Sequence, residues 1–233
     1  MRRITIIETG LVPPRFRERH GSFPDMFARM IRAADEAAAF DVVSVAKGEP
    51  LPDPGALQAI LITGSAAGVY DELDWIAPLE AFVRSADAQR ISTVGVCFGH
   101  QLIAQAMGGV VRKSDKGWGI GRHVYQVMPD NGIIEGEELA IACSHQDQVI
   151  APPAGARTLL SSAFTPYAGL LYESGTTLSV QPHPEFDAEF AHELCELRSG
   201  LAPDDVVTAA KASLAEPLDR ARLGRSIARF LTR

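Results

Sequence analysis

A cysteine between two glycines marks the segment that most restricts how this chain can fold. Residues 93–109 begin as a buried apolar strand, pass through Gly-Val-Cys-Phe-Gly at 95–99, and continue as a helix. A sharp strand-to-helix turn exposes its central residue, and the residues two before and two after that position crowd one another, which favours glycine. Gly95 and Gly99 meet this demand, so the sequence predicts that Cys97 is a nucleophile held above the sheet.

The start of a helix also suits a reactive thiol, because free backbone N–H groups and the helix dipole stabilise the thiolate. The alternative for any free cysteine is that it is a small buried hydrophobe. We interpret Cys143, at the end of an apolar strand pattern, and Cys195, in a helical stretch, in that way. Three cysteines without a CxxC pair are too few for a disulfide framework, so a reducing cytoplasmic setting is expected.

The first hundred residues alternate between short β-branched runs and helical patterns. The runs that predict strands lie at 4–7, 42–45, 59–63 and 92–96. A first helix is predicted over about residues 25–40, with its apolar side chains on one face. This alternation predicts an α/β fold with a mostly parallel central sheet flanked by helices.

From about residue 110 to residue 180 the pattern changes to short strands separated by turn residues. We predict strands at 123–128, 139–143, 157–161 and 176–180, as antiparallel additions to the same sheet. After Gly200 the sequence predicts one or two amphipathic helices, with Pro203 suited to a first helical turn. With 233 residues and 46% apolar content, we expect a single domain over 1–233, with 200–233 as a C-terminal helical extension.

Charge and hydropathy argue against two classes of partner. The formal net charge of -7 and the pI near 5.4 provide no basic field for nucleic acid. No apolar run approaches the roughly 18 residues of a membrane helix. The first ten residues have only a four-residue apolar core before Glu8, which indicates a strand and not a signal peptide.

A thiol nucleophile needs a base that can also protonate a leaving amine, and imidazole is the usual choice. Of the six histidines, His183 directly follows a strand pattern, and Glu185 two residues later can accept the imidazole N–H and fix the ring. The His-x-Glu spacing also arises by chance, as a loop histidine beside a solvated glutamate. The prediction depends on finding both motifs together. The strand before His183 should end at the same edge of a parallel sheet as the strand before Cys97.

The other histidines fit this role less well. His20, His123 and His192 are interpreted as surface or structural residues, and the side chain of His100 should point away from the sulfur. No set of His, Cys or carboxylate residues has convincing metal-ligand spacing, so we expect neither a metal nor a cofactor.

At this point the motifs match a known family. The segments GVCFGHQ (95–101) and QPHPE (181–185), with AILITGSAAGVYD (59–71) and CSHQDQV (143–149), resemble the class I (triad) glutamine amidotransferases. The resemblance covers about residues 4–190 and is strongest to stand-alone chains similar to the glutaminase domain of GMP synthase. It implies a flavodoxin-like sheet.

The resemblance also implies a reaction and a set of roles. Cys97 would attack the glutamine carboxamide, His183 would shuttle the proton, and a γ-glutamyl thioester would form and be hydrolysed. The implied oxyanion hole consists of backbone N–H groups of Gly64, Ser65 and Phe98. The side chains or backbone expected to hold the substrate belong to Gln101, Ser144, His145 and Gln146.

The sequence leaves several functions open. Because no ATP-binding loop is visible, ammonia from glutamine would need a separate synthetase or acceptor subunit; otherwise the substrate is another small γ-glutamyl compound, cleaved by a γ-glutamyl hydrolase or peptidase. Ser65 and Pro182 depart from the family pattern and bear on substrate identity. An inactive ligand-binding module is a third hypothesis. A fourth is a cysteine variant of the α/β-hydrolases, in which Asp147 would replace Glu185.

Overall fold

A computed structural model describes residues 3–233, and two groups of strands lie side by side in its main sheet. The strands are β1 (Arg3–Glu8), β2 (Ala39–Ser44), β3 (Ala59–Ile62), β4 (Ser92–Val96), β5 (Val110–Lys113), β6 (Gly119–Val127), β7 (Glu138–His145), β8 (Asp147–Ala151), β9 (Arg157–Ser161), β10 (Gly169–Leu171) and β11 (Thr177–Val180). Nine of them form the sheet in the order β2-β1-β3-β4-β11-β10-β9-β6-β7.

Helices cover both faces of this sheet. They are α1 (Pro14–His20), α2 (Phe23–Arg32), α3 (Ile76–Ala88), α4 (Phe98–Ala106), α5 (Ala188–Glu196), α6 (Asp204–Ser213) and α7 (Arg220–Thr232). Single 3-10 turns occur at Val45–Lys47 and Pro54–Ala56. Within residues 3–233, none of these helices combines the length and the apolar character needed to cross a membrane.

The parallel half of the sheet comprises β2, β1, β3, β4 and β11. Side chains of β3 alternate between the two faces: Ile60 and Ile62 pack with α3 and α4, whereas Ala59 and Leu61 pack with α2 and α7. Because both faces are buried, the strand is a continuous apolar run. The predicted mostly parallel sheet, flanked by helices and with antiparallel additions, is confirmed.

One prediction about the later strands needs correction, and two further strands were not predicted. Strand β11 is parallel to β4, not an antiparallel addition. It forms a hairpin with β10, and this reversal of the chain brings it alongside β4 in the same direction. Strands β5 and β8 form a separate two-stranded antiparallel sheet, while β6, β7, β9 and β10 supply the antiparallel part of the main sheet.

The prediction of one helix over residues 25–40 was also wrong. Helix α2 ends at Arg32, and Phe40 belongs to β2. Ala34, which would continue the apolar stripe, is exposed, and the carboxylate of Asp35 accepts a hydrogen bond from the Ala37 N–H in the turn that follows. At the other end, a capping box between Ser22 and Asp25 fixes the start of α2, and a separate α1 precedes it.

Two helices follow Gly200. Helix α6 packs on β6 at Gly121, where a Cβ would lie 2.7 Å from the Ala210 Cα and the backbone has φ +82°. Pro203 lies immediately before the first helical residue. Helix α7 packs against α2, β4 and β7, so the C-terminal segment covers one face of the sheet.

Candidate active site

Cys97 lies in a strained turn between β4 and α4. Its φ is 53° and its ψ is -102°, a conformation that costs a non-glycine residue of order 1–3 kcal/mol. The flanking glycines make the turn sterically feasible: a Cβ on Gly95 would lie 2.4 Å from the Gly99 carbonyl oxygen, and a Cβ on Gly99 would lie 2.5 Å from the Ile62 oxygen. The backbone N–H of Cys97 donates to the Val180 oxygen at 2.9 Å, which ties the turn to β11.

His183 and Glu185 follow β11 and face this turn. The His183 Nδ1 lies 2.7 Å from the Glu185 Oε1, and the two side chains are 5% and 0% exposed. The His183 backbone N–H donates to the Ala142 oxygen of β7 at 2.9 Å. By contrast, the carboxylate of Asp147 accepts a hydrogen bond from the Tyr70 hydroxyl at 2.7 Å. The α/β-hydrolase interpretation, which needs Asp147 on the imidazole, therefore does not fit.

The imidazole of His183 is held in a charged state by its neighbours. Burial opposes that charge, but the Glu185 carboxylate and the hydrogen-bonded sulfur of Cys97 together raise the pKa of His183 to about 10. Phe186 stacks on the ring, with centroids 4.0 Å apart and planes 6° apart. A protonated, oriented imidazole beside a sulfur is suited to give a proton to a leaving group.

The turn after β3 approaches the same sulfur. A Cβ on Gly64 would lie 3.0 Å from the His183 Cε1 and 3.6 Å from the Cys97 Cβ, so only glycine fits without displacing the imidazole. The Ser65 hydroxyl accepts a hydrogen bond from the Ala67 N–H at 3.2 Å, which stabilises the turn. Phe98 occupies the first position of α4, where a backbone N–H has no acceptor within its own helix. The structure thus brings the three predicted oxyanion residues around Cys97, and their role stays a prediction.

A cavity of about 330 Å³ opens on one side of Cys97. Its lining includes all four residues predicted to contact substrate, namely Gln101, Ser144, His145 and Gln146, and we call it the polar cavity. The Gln101 amide donates to the Asp147 oxygen at 2.8 Å and to the Gln181 Oε1 at 3.2 Å, which fixes its orientation. Burial lowers the pKa of His145 to about 3, so its ring is neutral.

Arg198 also faces the polar cavity, and sequence reasoning missed it. Its guanidinium carbon lies 4.3 Å from the Trp118 ring centroid, and one amino group donates to the Ser144 Oγ at 3.3 Å. No carboxylate of residues 3–233 forms an ion pair with it. Burial lowers the pKa of Arg198, and the nearby sulfur of Cys97 opposes that shift. The site therefore contains a half-buried cation without a carboxylate partner among the described residues.

A smaller cavity of about 130 Å³ also borders Cys97, and His183 is among its lining residues. Its apolar walls, which define what we call the apolar cavity, belong to Leu11, Pro13, Phe23, Phe186, Leu194 and Leu197. A larger cavity, of about 510 Å³, lies between the loop at Gly132 and α7 and shares no lining residue with the triad. Choosing a site by cavity volume alone would therefore have selected a cavity without any residue of the predicted triad.

Comparison with known proteins identifies the family. The model of the class I glutamine amidotransferase domain matches residues 23–195, which include Cys97, His183 and Glu185. The chain belongs to the class I glutamine amidotransferase family. The matched segment excludes Arg198 and the residues around Leu11, so the family model does not describe this part of the site.

Relatives of this amidotransferase-family chain carry different names. It is 29% identical over 213 residues to gamma-glutamyl peptidase 4 of Arabidopsis thaliana, covering 85% of this chain and 82% of that protein. It is 28% identical over 148 residues to a glutamine-hydrolyzing GMP synthase subunit of Saccharolobus solfataricus, covering 62% and 76%. The crystal structure of a glutamine amidotransferase from Methylobacillus flagellatus superposes with a TM-score of 0.78 at 22% identity, over 100% of this chain and 94% of that one, and supports the fold.

Proposed function

We propose that the chain hydrolyses the γ-glutamyl amide bond of a small molecule through a thioester on Cys97. The observation that carries the proposal is the convergence of the Cys97 sulfur, the charged imidazole of His183 and the Glu185 carboxylate 2.7 Å from that imidazole. A nucleophile, a proton carrier and a group that orients the carrier are the three parts that nucleophilic acyl transfer requires.

The proposed reaction has two steps. The Cys97 sulfur attacks the γ-carbonyl carbon, the C–N bond breaks, and His183 gives a proton to the departing nitrogen. Water then attacks the thioester, His183 takes one of its protons, and glutamate leaves as the thiol is restored. During both steps negative charge develops on the carbonyl oxygen, and we assign its stabilisation to backbone N–H groups at Gly64, Ser65 and Phe98.

The polar cavity suits the glutamyl part of such a substrate. A γ-glutamyl group carries a free α-carboxylate, and Arg198, which has no carboxylate partner in the described part of the chain, supplies a cation beside the predicted contacts Gln101 and Ser144. A charge-assisted hydrogen bond is roughly twice as strong as a neutral one, so this pairing would anchor the substrate. The three free cysteines support a reducing, cytoplasmic setting for the reaction.

Two substrate classes share this chemistry. Free glutamine is the simplest, and its use implies a separate acceptor subunit for the ammonia; the similarity to a GMP synthase subunit supports it. The second class comprises γ-glutamyl peptides or amines. The match to a protein named as a γ-glutamyl peptidase extends over 85% of the chain, and the apolar cavity beside His183 offers room for more than ammonia.

The test is to incubate the purified chain with glutamine, γ-glutamyl amines and γ-glutamyl peptides, and to follow glutamate and the released amine by mass spectrometry. We expect hydrolysis that is lost in Cys97→Ala. The matched control is Cys195→Ala, which removes another buried thiol and should keep the activity. Equal rates in Cys97→Ala and the unmodified chain would overturn the proposal. Binding of glutamine without turnover would favour the ligand-binding module instead.

A further inference from the structure

The two cavities meet at Cys97 but differ in their relation to the proton carrier. The residues that line both are Ser65, Ala66, Cys97, Ser144 and Arg198. Among residues 3–233, His183 and its stacked partner Phe186 line the apolar cavity only, whereas Gln101 lines the polar cavity only. The two cavities therefore adjoin at the sulfur, and the acid lines only the apolar one.

The different linings of the two cavities determine which way the scissile C–N bond must point. His183 can protonate the departing nitrogen only if that nitrogen lies within hydrogen-bond reach of the imidazole. When the glutamyl part fills the polar cavity, the group attached to the nitrogen must extend toward His183 and into the apolar cavity. Because Gly64 has no side chain, no Cβ fills the space beside the His183 ring and the Cys97 side chain.

We infer that the apolar cavity is a leaving-group site, and that the preferred substrates are γ-glutamyl amides of amines with an apolar side chain. The inference rests on the proposed function and extends it by naming the substrate class. The bonds change as in that reaction. The C–S bond forms, the C–N bond breaks, the apolar amine leaves with a proton from His183, and water then cleaves the thioester.

The walls of the apolar cavity fit such an amine better than they fit ammonia. Six apolar side chains line it, and of its polar lining residues all but His183 also line the polar cavity. Ammonia has no apolar surface to bury there, whereas each methylene removed from water adds about a fourfold gain in affinity. Leu11, Pro13 and Leu197 lie outside the segment that matches the family model, so this wall is built by parts of the chain that the family pattern does not specify.

The experiment compares glutamine with a series of γ-glutamyl n-alkylamides, from methyl to hexyl, on the unmodified chain. We expect kcat/KM to rise by about fourfold for each added methylene until the cavity of about 130 Å³ is filled, and then to level off or fall. The longer amides should exceed glutamine. A kcat/KM that is flat or falls from methyl onward would overturn the inference.

A variant pair tests whether the apolar cavity causes the trend. Leu11→Asp places a carboxylate at its mouth, and Leu73→Asp makes the same change at a residue that lines neither cavity. The two leucines are 45% and 41% exposed. Because both positions are similarly exposed, we expect the two substitutions to have similarly small effects on folding. We expect the hexylamide-to-methylamide ratio of kcat/KM to fall at least tenfold in Leu11→Asp and to be unchanged in Leu73→Asp.

The outcomes separate this inference from the proposed function. Cys97-dependent turnover of glutamine or the methylamide, without any gain from longer chains, would overturn the leaving-group site alone. Failure to cleave any γ-glutamyl amide in a Cys97-dependent manner would overturn both. If Leu11→Asp fails to fold, the alkylamide series on the unmodified chain still decides the inference.

Discussion

Two buried histidines in this molecule differ in charge state. Both His183, after β11, and His100, in the first turn of α4, have a partner 2.7 Å from their Nδ1. For His100 the partner is the hydroxyl of Ser179, and burial lowers its pKa to about 3. For His183 the partner is the carboxylate of Glu185, and the pKa rises to about 10 in spite of burial. The charge of a buried imidazole thus depends on the negative groups beside it, here Glu185 and the Cys97 sulfur.

The difference bears on function because only a protonated imidazole can give a proton away. The neutral ring of His100 is a packing and hydrogen-bonding element of the core. The charged ring of His183 lies beside Cys97, where an acid is needed. The same residue type, at similar burial, therefore has a structural role in one place and a proposed catalytic role in the other.

The largest expected effect comes from replacing each histidine by asparagine. His183→Asn should lower kcat/KM for γ-glutamyl amide hydrolysis by about 10²- to 10⁴-fold, because it removes the proton carrier. His100→Asn should cost about 1–3 kcal/mol of unfolding free energy, through a disturbed buried hydrogen bond, while the folded protein keeps its activity. Steady-state kinetics and urea unfolding of both variants check this. Similar losses of activity in the two would break the comparison.

A smaller loss of activity is expected for Glu185→Gln, because the imidazole itself remains. Without the carboxylate, burial is opposed only by the Cys97 sulfur, so the pKa of His183 should fall. NMR titration of the ring should find it protonated at pH 8 in the unmodified chain, with a titration midpoint at a lower pH in the variant. Indistinguishable titration curves would show that Glu185 does not set the charge.

Arg198 is a second cation near Cys97, and unlike His183 it has no carboxylate partner within residues 3–233. If the α-carboxylate of the substrate is that partner, Arg198→Gln should raise KM by about 10- to 100-fold, with a lesser effect on kcat. Arg198→Lys should recover part of the loss, because it keeps the charge. The control is Arg32→Gln, which removes a guanidinium stacked 5.0 Å from the Phe40 ring, away from the site. An unchanged KM in Arg198→Gln would exclude this role.

The sequence predicted the part of the site that is built on strand ends. Cys97, His183 and Gly64 each follow a parallel strand, and parallel strands bring their carboxyl ends to one edge of the sheet. The position of each residue at the end of a predicted strand was therefore enough to predict that the three lie close together. The hydrogen bond between His183 and Glu185 spans only two residues of sequence, so it too could be expected from the motif.

The rest of the site depends on how distant segments pack. Arg198 reaches Ser144 and Trp118 only because the chain leaves α5 and turns back over β6 and β7. Nothing in its local sequence marks it. Phe186 was present in the motif, and an aromatic residue beside a predicted catalytic histidine is a signal that could have been used. The apolar cavity joins Leu11 to Leu197, a contact that no local periodicity predicts.

The smallest effect is a pH dependence of stability in which the two histidines act in opposite directions. An unfolded histidine has a pKa near 6.5. Because the pKa of His183 is raised on folding, its contribution to stability is complete below pH 6.5 and is lost as the pH rises toward about 10. Because the pKa of His100 is lowered, its contribution is complete above pH 6.5 and is lost as the pH falls toward about 3.

Urea unfolding at pH 5, 6.5 and 8 can separate these contributions. Between pH 6.5 and pH 5, the unmodified chain should lose about 2 kcal/mol more unfolding free energy than His100→Asn, since one pKa unit corresponds to about 1.4 kcal/mol. His145, whose pKa is also lowered, is present in both proteins, so its effect cancels in the difference. Between pH 6.5 and pH 8, the two proteins should lose stability in parallel, because His183 is intact in both. Equal acid losses would mean that His100 becomes protonated as readily in the folded state as in the unfolded chain, and that enclosure without a carboxylate does not keep it neutral.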